Sequence, residues 1–194
     1  WLGEPIDIKP HTKAEFAQGE SKNLLILGGA DNHETVYAII TSCFISLLTQ
    51  IREAQFVFVD FSGWELSSEL LLRIKNIAPE LVTLIDGQRE TEQLFRNLEN
   101  KLGFSPKSKR NDQVRYPIFL FLIGIQSIPK LRRSDEFNID PKKRTSGDIL
   151  FDLCSKGTQE GLYSIVWCDL LRNLERAIGT DVLNAFDMRI ALQM

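Results

Sequence analysis

Residues 24–35 read Leu-Leu-Ile-Leu-Gly-Gly-Ala-Asp-Asn-His-Glu-Thr, and this stretch decides the fold. Four consecutive apolar residues end in two glycines, and a long amphipathic segment follows. A continuous apolar run of this length is typical of a strand that is buried on both faces of a parallel sheet. The stretch therefore predicts a buried strand, a glycine-containing turn and a helix, in that order.

The same stretch has the spacing of a phosphate-binding loop, but its chemistry differs. That motif is G-x-x-x-x-G-K-[ST], placed between a strand and a helix. Gly28 fits the first glycine and Thr35 the final hydroxyl, whereas His33 replaces the second glycine and Glu34 replaces the lysine. The lysine normally neutralises the phosphates, so Glu34 would place a negative charge beside the negatively charged phosphates. The alternative interpretation is a plain strand-to-helix turn.

Apolar runs alternate with helical patterns along the rest of the chain. Runs at 23–27, 55–61, 81–86, 117–124, 162–168 and 188–193 predict strands, and patterns at 35–52, 67–77, 90–102 and 148–160 predict helices. This alternation indicates an α/β domain with a largely parallel sheet, right-handed crossovers and helices on both faces.

Composition narrows the class of protein. The chain has 194 residues, 43% of them hydrophobic and 25% charged, as in an ordinary soluble domain. A net charge of −3 disfavours a free-standing, non-specific DNA binder. Three cysteines without C-x-x-C spacing and two histidines predict no metal site and favour a reducing compartment.

The domain organisation and location follow from the same features. Residues 1–194 form one predicted domain, and the start at Trp1 suggests a piece of a longer, multi-domain protein. The longest apolar stretch, 36–49, is too short and too polar to cross a bilayer, so we expect no membrane insertion. The expected location is cytoplasmic, including the soluble part of a membrane-associated protein.

Four further segments carry motifs. Residues 58–66 read Phe-Val-Asp-Phe-Ser-Gly-Trp-Glu-Leu, and residues 116–124 read Tyr-Pro-Ile-Phe-Leu-Phe-Leu-Ile-Gly. Residues 154–166 read Cys-Ser-Lys-Gly-Thr-Gln-Glu-Gly-Leu-Tyr-Ser-Ile-Val, and residues 184–193 read Asn-Ala-Phe-Asp-Met-Arg-Ile-Ala-Leu-Gln. Together with residues 28–35, their order resembles the motor domain of the FtsK/SpoIIIE and HerA class of P-loop ATPases over essentially the whole chain. The chain also resembles the inactive modules of type VII secretion ATPases.

The resemblance implies a RecA-like P-loop fold, with ATP and Mg²⁺ as ligands if the site is competent. The positions that match the family's nucleotide site, here expected to be vestigial, are Gly28, Gly29, Asp31, His33, Glu34, Thr35, Asp60 and Asp169. Three places depart from the family's pattern. Glu34 stands for the Walker A lysine, and Ile123 with Gly124 stand for the Walker B Asp-Glu pair. Asp169 stands for the sensor glutamine.

These departures favour a catalytically degenerate module with no catalytic residues and no expected cofactor. It would act as a structural and regulatory interaction domain, with neighbouring ATPase domains of the same chain or oligomer as partners. Trp64 and Trp167 would anchor a partner or fill a pocket that holds no nucleotide.

Two alternatives remain open. In the first, the chain is an active DNA-translocating ATPase in which Asp60, Glu65 or Asp169 supplies the acid and Thr35 binds Mg²⁺. The basic segments 107–110 and 130–133 would then face DNA. In the second, it is the substrate-recognition module of a protein-secretion ATPase and binds a secreted peptide in an apolar groove near Trp167.

Overall fold

Six strands form a sheet in the centre of the protein, with helices on both faces. The computed structural model describes residues 13–17, 22–104, 116–131 and 144–192, without the side chains of 66–68. The strands are β1 (Leu24–Leu27), β2 (Gln55–Asp60), β3 (Val82–Ile85), β4 (Ile118–Ile123), β5 (Leu162–Cys168) and β6 (Met188–Ala191). The helices are α1 (His33–Gln50), α2 (Glu65–Ile77), α3 (Gln88–Leu102), α4 (Ser146–Lys156) and α5 (Leu171–Ile178).

The strand order in the sheet is β3-β2-β4-β5-β1-β6, and all five pairings are parallel. All residues of β4 and β5 are buried, as their continuous apolar sequences require. The prediction of an α/β domain with a parallel sheet is confirmed, and the strand bounds agree within two residues. Because the strands run parallel, their carboxyl ends meet at one edge of the sheet, where ligands of such folds bind.

Alternate residues along the strands build two different cores. On the face covered by α1 and α2, the core is rich in aromatic rings, including the stacked pair Phe58 and Phe121 with centroids 4.4 Å apart. On the face covered by α3, α4 and α5, it is mainly aliphatic. No helix within the described ranges is long and apolar enough to cross a membrane.

Two features differ from the sequence prediction. Helix α5 follows β5 and was not predicted, because its eight residues bury only Leu174, Ala177 and Ile178. The mixed charge of residues 130–147 predicts an exposed loop, but Arg144 of that segment pairs with Glu99 of α3 and Asp152 of α4. The other basic side chains of 105–115 and 130–147 lie outside the described residues, apart from Lys130.

A single buried amide ties the amino end of β1 to three other elements. Asn23 is fully buried, and its Nδ2 donates to the carbonyl oxygens of Cys154 (2.8 Å) and Ala185 (2.7 Å). Its Oδ1 accepts from the N–H of Ser164 at 2.7 Å. Both carbonyls lie in the last turn of a helix, where backbone acceptors lack helical partners. Asn23 therefore fastens α4, β5 and the 3-10 helix Thr180–Ala185 around β1.

Candidate functional site

The turn after β1 begins at Gly28, where a side chain has no room. A Cβ atom there would lie 2.9 Å from the Cβ of Leu192, just beyond β6. The Gly28 N–H donates to the Cys168 carbonyl of β5 at 3.2 Å. Gly29, in contrast, has open space around it and an extended backbone that any residue can adopt. Packing between neighbouring strands is therefore enough to explain the first glycine.

A short 3-10 helix, Ala30–Asn32, occupies the stretch that would encircle a phosphate. The N–H of Asn32 donates to the Gly29 carbonyl at 3.0 Å, and the N–H of His33 donates to the Ala30 carbonyl. A phosphate loop needs several N–H groups converging on one point in an open concavity. Two of the amides of this turn are instead bound within it, and α1 begins at once.

Four rings fill the space beside this turn. The centroid of the Trp64 ring lies 5.3 Å from His33, 5.4 Å from Tyr37 and 4.5 Å from Trp167. Trp167 is only 2% exposed, and its indole Nε1 donates to the Gly28 carbonyl at 3.1 Å. We call His33, Tyr37, Trp64 and Trp167 the aromatic cluster. It joins the turn after β1 to the carboxyl ends of β2 and β5.

The carboxylate of Asp60, at the end of β2, is engaged in local hydrogen bonds. Its Oδ1 accepts from the N–H of Ser62 at 2.8 Å, and its Oδ2 accepts from the Tyr37 hydroxyl at 3.4 Å. The Ser62 hydroxyl lies 3.0 Å from the Tyr37 hydroxyl and accepts a hydrogen bond from the backbone N–H of Trp64 at 3.3 Å. These bonds hold the loop after β2 so that Trp64 lies within the aromatic cluster.

The end of β4 offers no place for an acidic side chain. Ile123 is fully buried on the aromatic face of the sheet. Gly124 has a left-handed backbone (φ +76°), and a Cβ atom there would lie 2.8 Å from the carbonyl carbon of Phe61 and from the Ser62 nitrogen. Because the nearest atoms belong to the backbone, a glutamate at position 124 would require the loop after β2 to move.

The carboxylate of Asp169 makes hydrogen bonds to residues at the start of α5. Its Oδ1 accepts from the Leu170 N–H at 2.7 Å, and the Asn173 Nδ2 lies 2.9 Å and 3.0 Å from its two oxygens. Asp169 lies just before the N-cap residue Leu170, and a carboxylate close to the amino end of a helix interacts favourably with the helix dipole. The residue at the predicted sensor position is thus occupied with a local structural role.

The predicted site residues share one edge of the sheet. Gly28 and His33 lie against the aromatic cluster, and Asp60 adjoins it through Tyr37. The remaining acidic and hydroxyl positions on the first turns of the helical segment, Asp31, Glu34 and Thr35, are exposed. Within the described ranges, no group of three or more His, Cys, Asp or Glu residues could hold a metal ion.

Sequence reasoning missed two residues that build this arrangement. Tyr37 lies four residues after His33, so both occupy one face of α1, a spacing visible in the sequence. Ser62 follows Asp60 by two residues, the spacing at which an aspartate accepts a backbone N–H in a turn. Both signals are local, but neither shows that Tyr37 and Ser62 meet in space.

The chain has three cysteines, and all three thiols are buried. Burial raises the pKa of Cys43, Cys154 and Cys168 from an ordinary value of 9.0 to about 12, and the charge of Asp169 contributes to the shift of Cys168. The neutral thiol is therefore the form that the folded protein favours. Since the thiolate is the nucleophile, burial lowers the reactivity of these thiols.

We expect the free energy of unfolding to fall as the pH rises above 9. The unfolded chain loses thiol protons there while the folded chain keeps them, so stability declines by about 1.4 kcal/mol per pH unit for each thiol. Urea titrations at pH 8, 9 and 10 measure this slope. Cys43→Ala should remove about a third of the thiol contribution. An unchanged slope in that variant would contradict the assignment.

No protein-family model and no curated protein matches the sequence. Solved structures do match. ATPases 2 and 3 of Thermomonospora curvata EccC, in complex with a signal sequence peptide, align with a TM-score of 0.57 and 14% identity over 91% of this chain. The cytoplasmic domain of the Thermomonospora curvata type VII secretion ATPase EccC gives a TM-score of 0.55 and 16% identity over 91%. The cytoplasmic domain of EssC gives 0.56 and 16% over 87%.

The alignments cover 32%, 21% and 30% of those three chains, so this chain spans a third or less of their length. At such low identity the likeness concerns the fold. The chain therefore has an α/β fold, with a six-stranded parallel sheet in its described residues, that matches the fold of the ATPase domains of EccC and EssC.

Proposed function

We propose that this domain is a catalytically degenerate FtsK-type ATPase module that works as a structural and regulatory interaction domain. The observation that carries the proposal is the pair of indoles beside Gly28. Trp64 and Trp167 are in contact, and Trp167 is bound to the carbonyl of Gly28, which matches the first glycine of the P-loop motif. We infer that these indoles take up space that the phosphates of a nucleotide would need.

Three further observations support the proposal. Backbone amides of the turn are bound within it, and Glu34 stands where hydrolysis needs a lysine. Gly124 leaves no room for the acid that would act on Mg²⁺ and water, and Asp169 is held by α5. Loss of one electrostatic group commonly lowers a rate by about 10²–10³. In this chain the lysine, the Walker B acids and the sensor glutamine of the family's motifs are all replaced.

Neighbouring ATPase domains are the partners we propose. The structural relatives include chains that carry several ATPases, such as the EccC structure of ATPases 2 and 3. In such an assembly, a module without nucleotide chemistry would pack against active modules and transmit or restrain their conformational state. The resemblance to inactive modules of secretion ATPases supports this role.

The alternative partners differ in their support. A DNA motor would need the basic segments 107–110 and 130–133, of which only residues 130 and 131 are described, so no described contact favours it. Peptide recognition has more support, because the EccC structure named above is a complex with a signal sequence peptide. For this chain, peptide binding would be one form of the proposed interaction function.

We expect neither heat in calorimetric titration with Mg-ATP nor a shift of the melting temperature. A ligand at about 100 times its Kd would stabilise the fold by about 2.7 kcal/mol, a clear shift. An active P-loop ATPase titrated in the same buffer provides the positive control. Binding in the micromolar range would overturn the proposal and revive the nucleotide site.

One variant separates the effect of charge from the effect of geometry. Glu34→Lys restores the motif's cation but leaves the turn and the indoles in place, so we expect it still not to bind. If Glu34→Lys binds Mg-ATP and the wild-type protein does not, the charge of Glu34 is what prevents nucleotide binding. The packing of the two indoles is then not the cause. Turnover measured with and without DNA then tests the motor alternative.

A further inference from the structure

A pocket of about 520 Å³ opens at the carboxyl ends of β2 and β3, beside α2. Its apolar lining consists of Trp64, Leu71, Leu72, Leu84 and Ile85. The volume falls within the range of about 300–1,000 Å³ that is common for binding pockets. The residues that line the pocket are apolar, glycine or acidic, and none of them carries a positive charge.

Leu72 marks the mouth of this pocket. Its side chain is 59% exposed, whereas the adjacent Leu71 is 6% exposed and belongs to the core. An exposed leucine on a helix lacks the stabilisation that burial of its side chain would supply. A large apolar side chain at the mouth of an apolar pocket is an arrangement suited to contact with a partner.

Three carboxylates surround the pocket: Asp60, Glu65 and Asp86. Glu65 and Asp86 are exposed, and within the described ranges neither takes part in an ion pair. Arg73, a cation on the same helix α2, is paired with Glu69. The rim of the pocket is therefore acidic, and it repels phosphate and attracts ammonium or guanidinium groups.

We propose that this pocket docks a protein segment in which one or two large apolar side chains are flanked by lysine or arginine. The apolar side chains enter between α2 and the ends of β2 and β3 and contact Leu72. The flanking cations pair with Glu65 and Asp86. The inference deepens the proposed interaction function and rests on it, because it names the chemistry of the partner that the module recognises.

The test uses fluorescence polarisation with a labelled peptide, Gly-Lys-Lys-Phe-Leu-Lys-Lys-Gly. We expect a Kd of roughly 10–100 μM at low salt and weaker binding as the salt concentration rises. In one control peptide, Ser-Ser replaces Phe-Leu and the charge is kept. In a second, glutamates replace the lysines and the apolar pair is kept. Each control should bind at least about tenfold more weakly.

Variants of the protein locate the site. Leu72→Ser should weaken binding about tenfold. Ile77→Ser, on the same helix and 61% exposed but outside the pocket, is the matched control and should leave the Kd unchanged. The double variant Glu65→Lys with Asp86→Lys should reverse the preference, so that the glutamate peptide binds better.

Three results would overturn the docking site: no binding of the lysine peptide, equal binding of the Ser-Ser peptide, or equal losses in Leu72→Ser and Ile77→Ser. Titration with Mg-ATP is a separate measurement, so the two proposals can fail independently. ATP binding with intact peptide binding would remove the degenerate-module proposal and leave the pocket. If neither Mg-ATP nor the lysine peptide binds, the degenerate-module proposal stands and the proposed docking partner is wrong.

Discussion

Replacing Asn23 with leucine is expected to lower the free energy of unfolding by about 3–6 kcal/mol. The side chains are similar in size, so the cost comes from hydrogen bonds. Without the amide, the carbonyls of Cys154 and Ala185 and the N–H of Ser164 lose their partner inside the protein. Each unsatisfied buried group costs about 1–3 kcal/mol, a large part of a total stability of about 5–15 kcal/mol.

Urea unfolding followed by circular dichroism measures this loss, and Thr158→Val is the matched control. Thr158 is also fully buried, but its hydroxyl has no hydrogen-bond partner in the part of the chain that the structure describes. Replacing that hydroxyl by a methyl group should therefore be neutral or stabilising. Equal losses in both variants would show that the amide of Asn23 carries no special role.

Substitution at Gly124 should have the second largest effect. Gly124→Ala is expected to cost about 2–4 kcal/mol, since it combines a left-handed backbone with an overlap against the backbone of the loop after β2. Gly124→Glu, which restores the acid of the family's motif, should be at least as costly. We expect it to destabilise the domain without creating ATP hydrolysis.

Gly29→Ala is the control for this experiment. Gly29 has φ −62° and open space around it, so alanine fits and the smaller freedom of the unfolded chain should stabilise the fold by about 0.4–1 kcal/mol. Melting temperatures and ATP turnover of Gly124→Ala, Gly124→Glu and Gly29→Ala test both the steric argument and the absence of ATP hydrolysis. A Gly124→Glu protein of native stability would refute the steric argument, and one that hydrolyses ATP would refute the proposed function.

The fold could be predicted from the sequence because its cause is local. A strand covered on both faces must be largely apolar, so the central strand β4 appears in the sequence as an uninterrupted run of six apolar residues. Helix α5 could not be predicted in this way. It is short and buries three side chains, and its start depends on Asp169, whose role appears only when Asn173 is brought beside it.

The candidate site was only partly predictable. The unusual residues at 34, 123, 124 and 169 are visible in the sequence because a motif specifies residue types at fixed spacings. The two indoles come from the loop after β2 and from β5, and no periodicity predicts that Trp64 meets Trp167. Nor does the sequence show that Gly124 faces the backbone of Phe61, which is what makes the missing acid hard to restore.

The contact between the two indoles has a consequence for the evolution of such a domain. Removing a buried tryptophan such as Trp167 costs about 3–5 kcal/mol before any nucleotide can contribute binding energy. A lysine at position 34 would leave this packing in place, whereas loss of an indole would bring the domain close to the threshold of unfolding. Selection for stability alone would therefore preserve the contact between Trp64 and Trp167, whatever partner the domain serves.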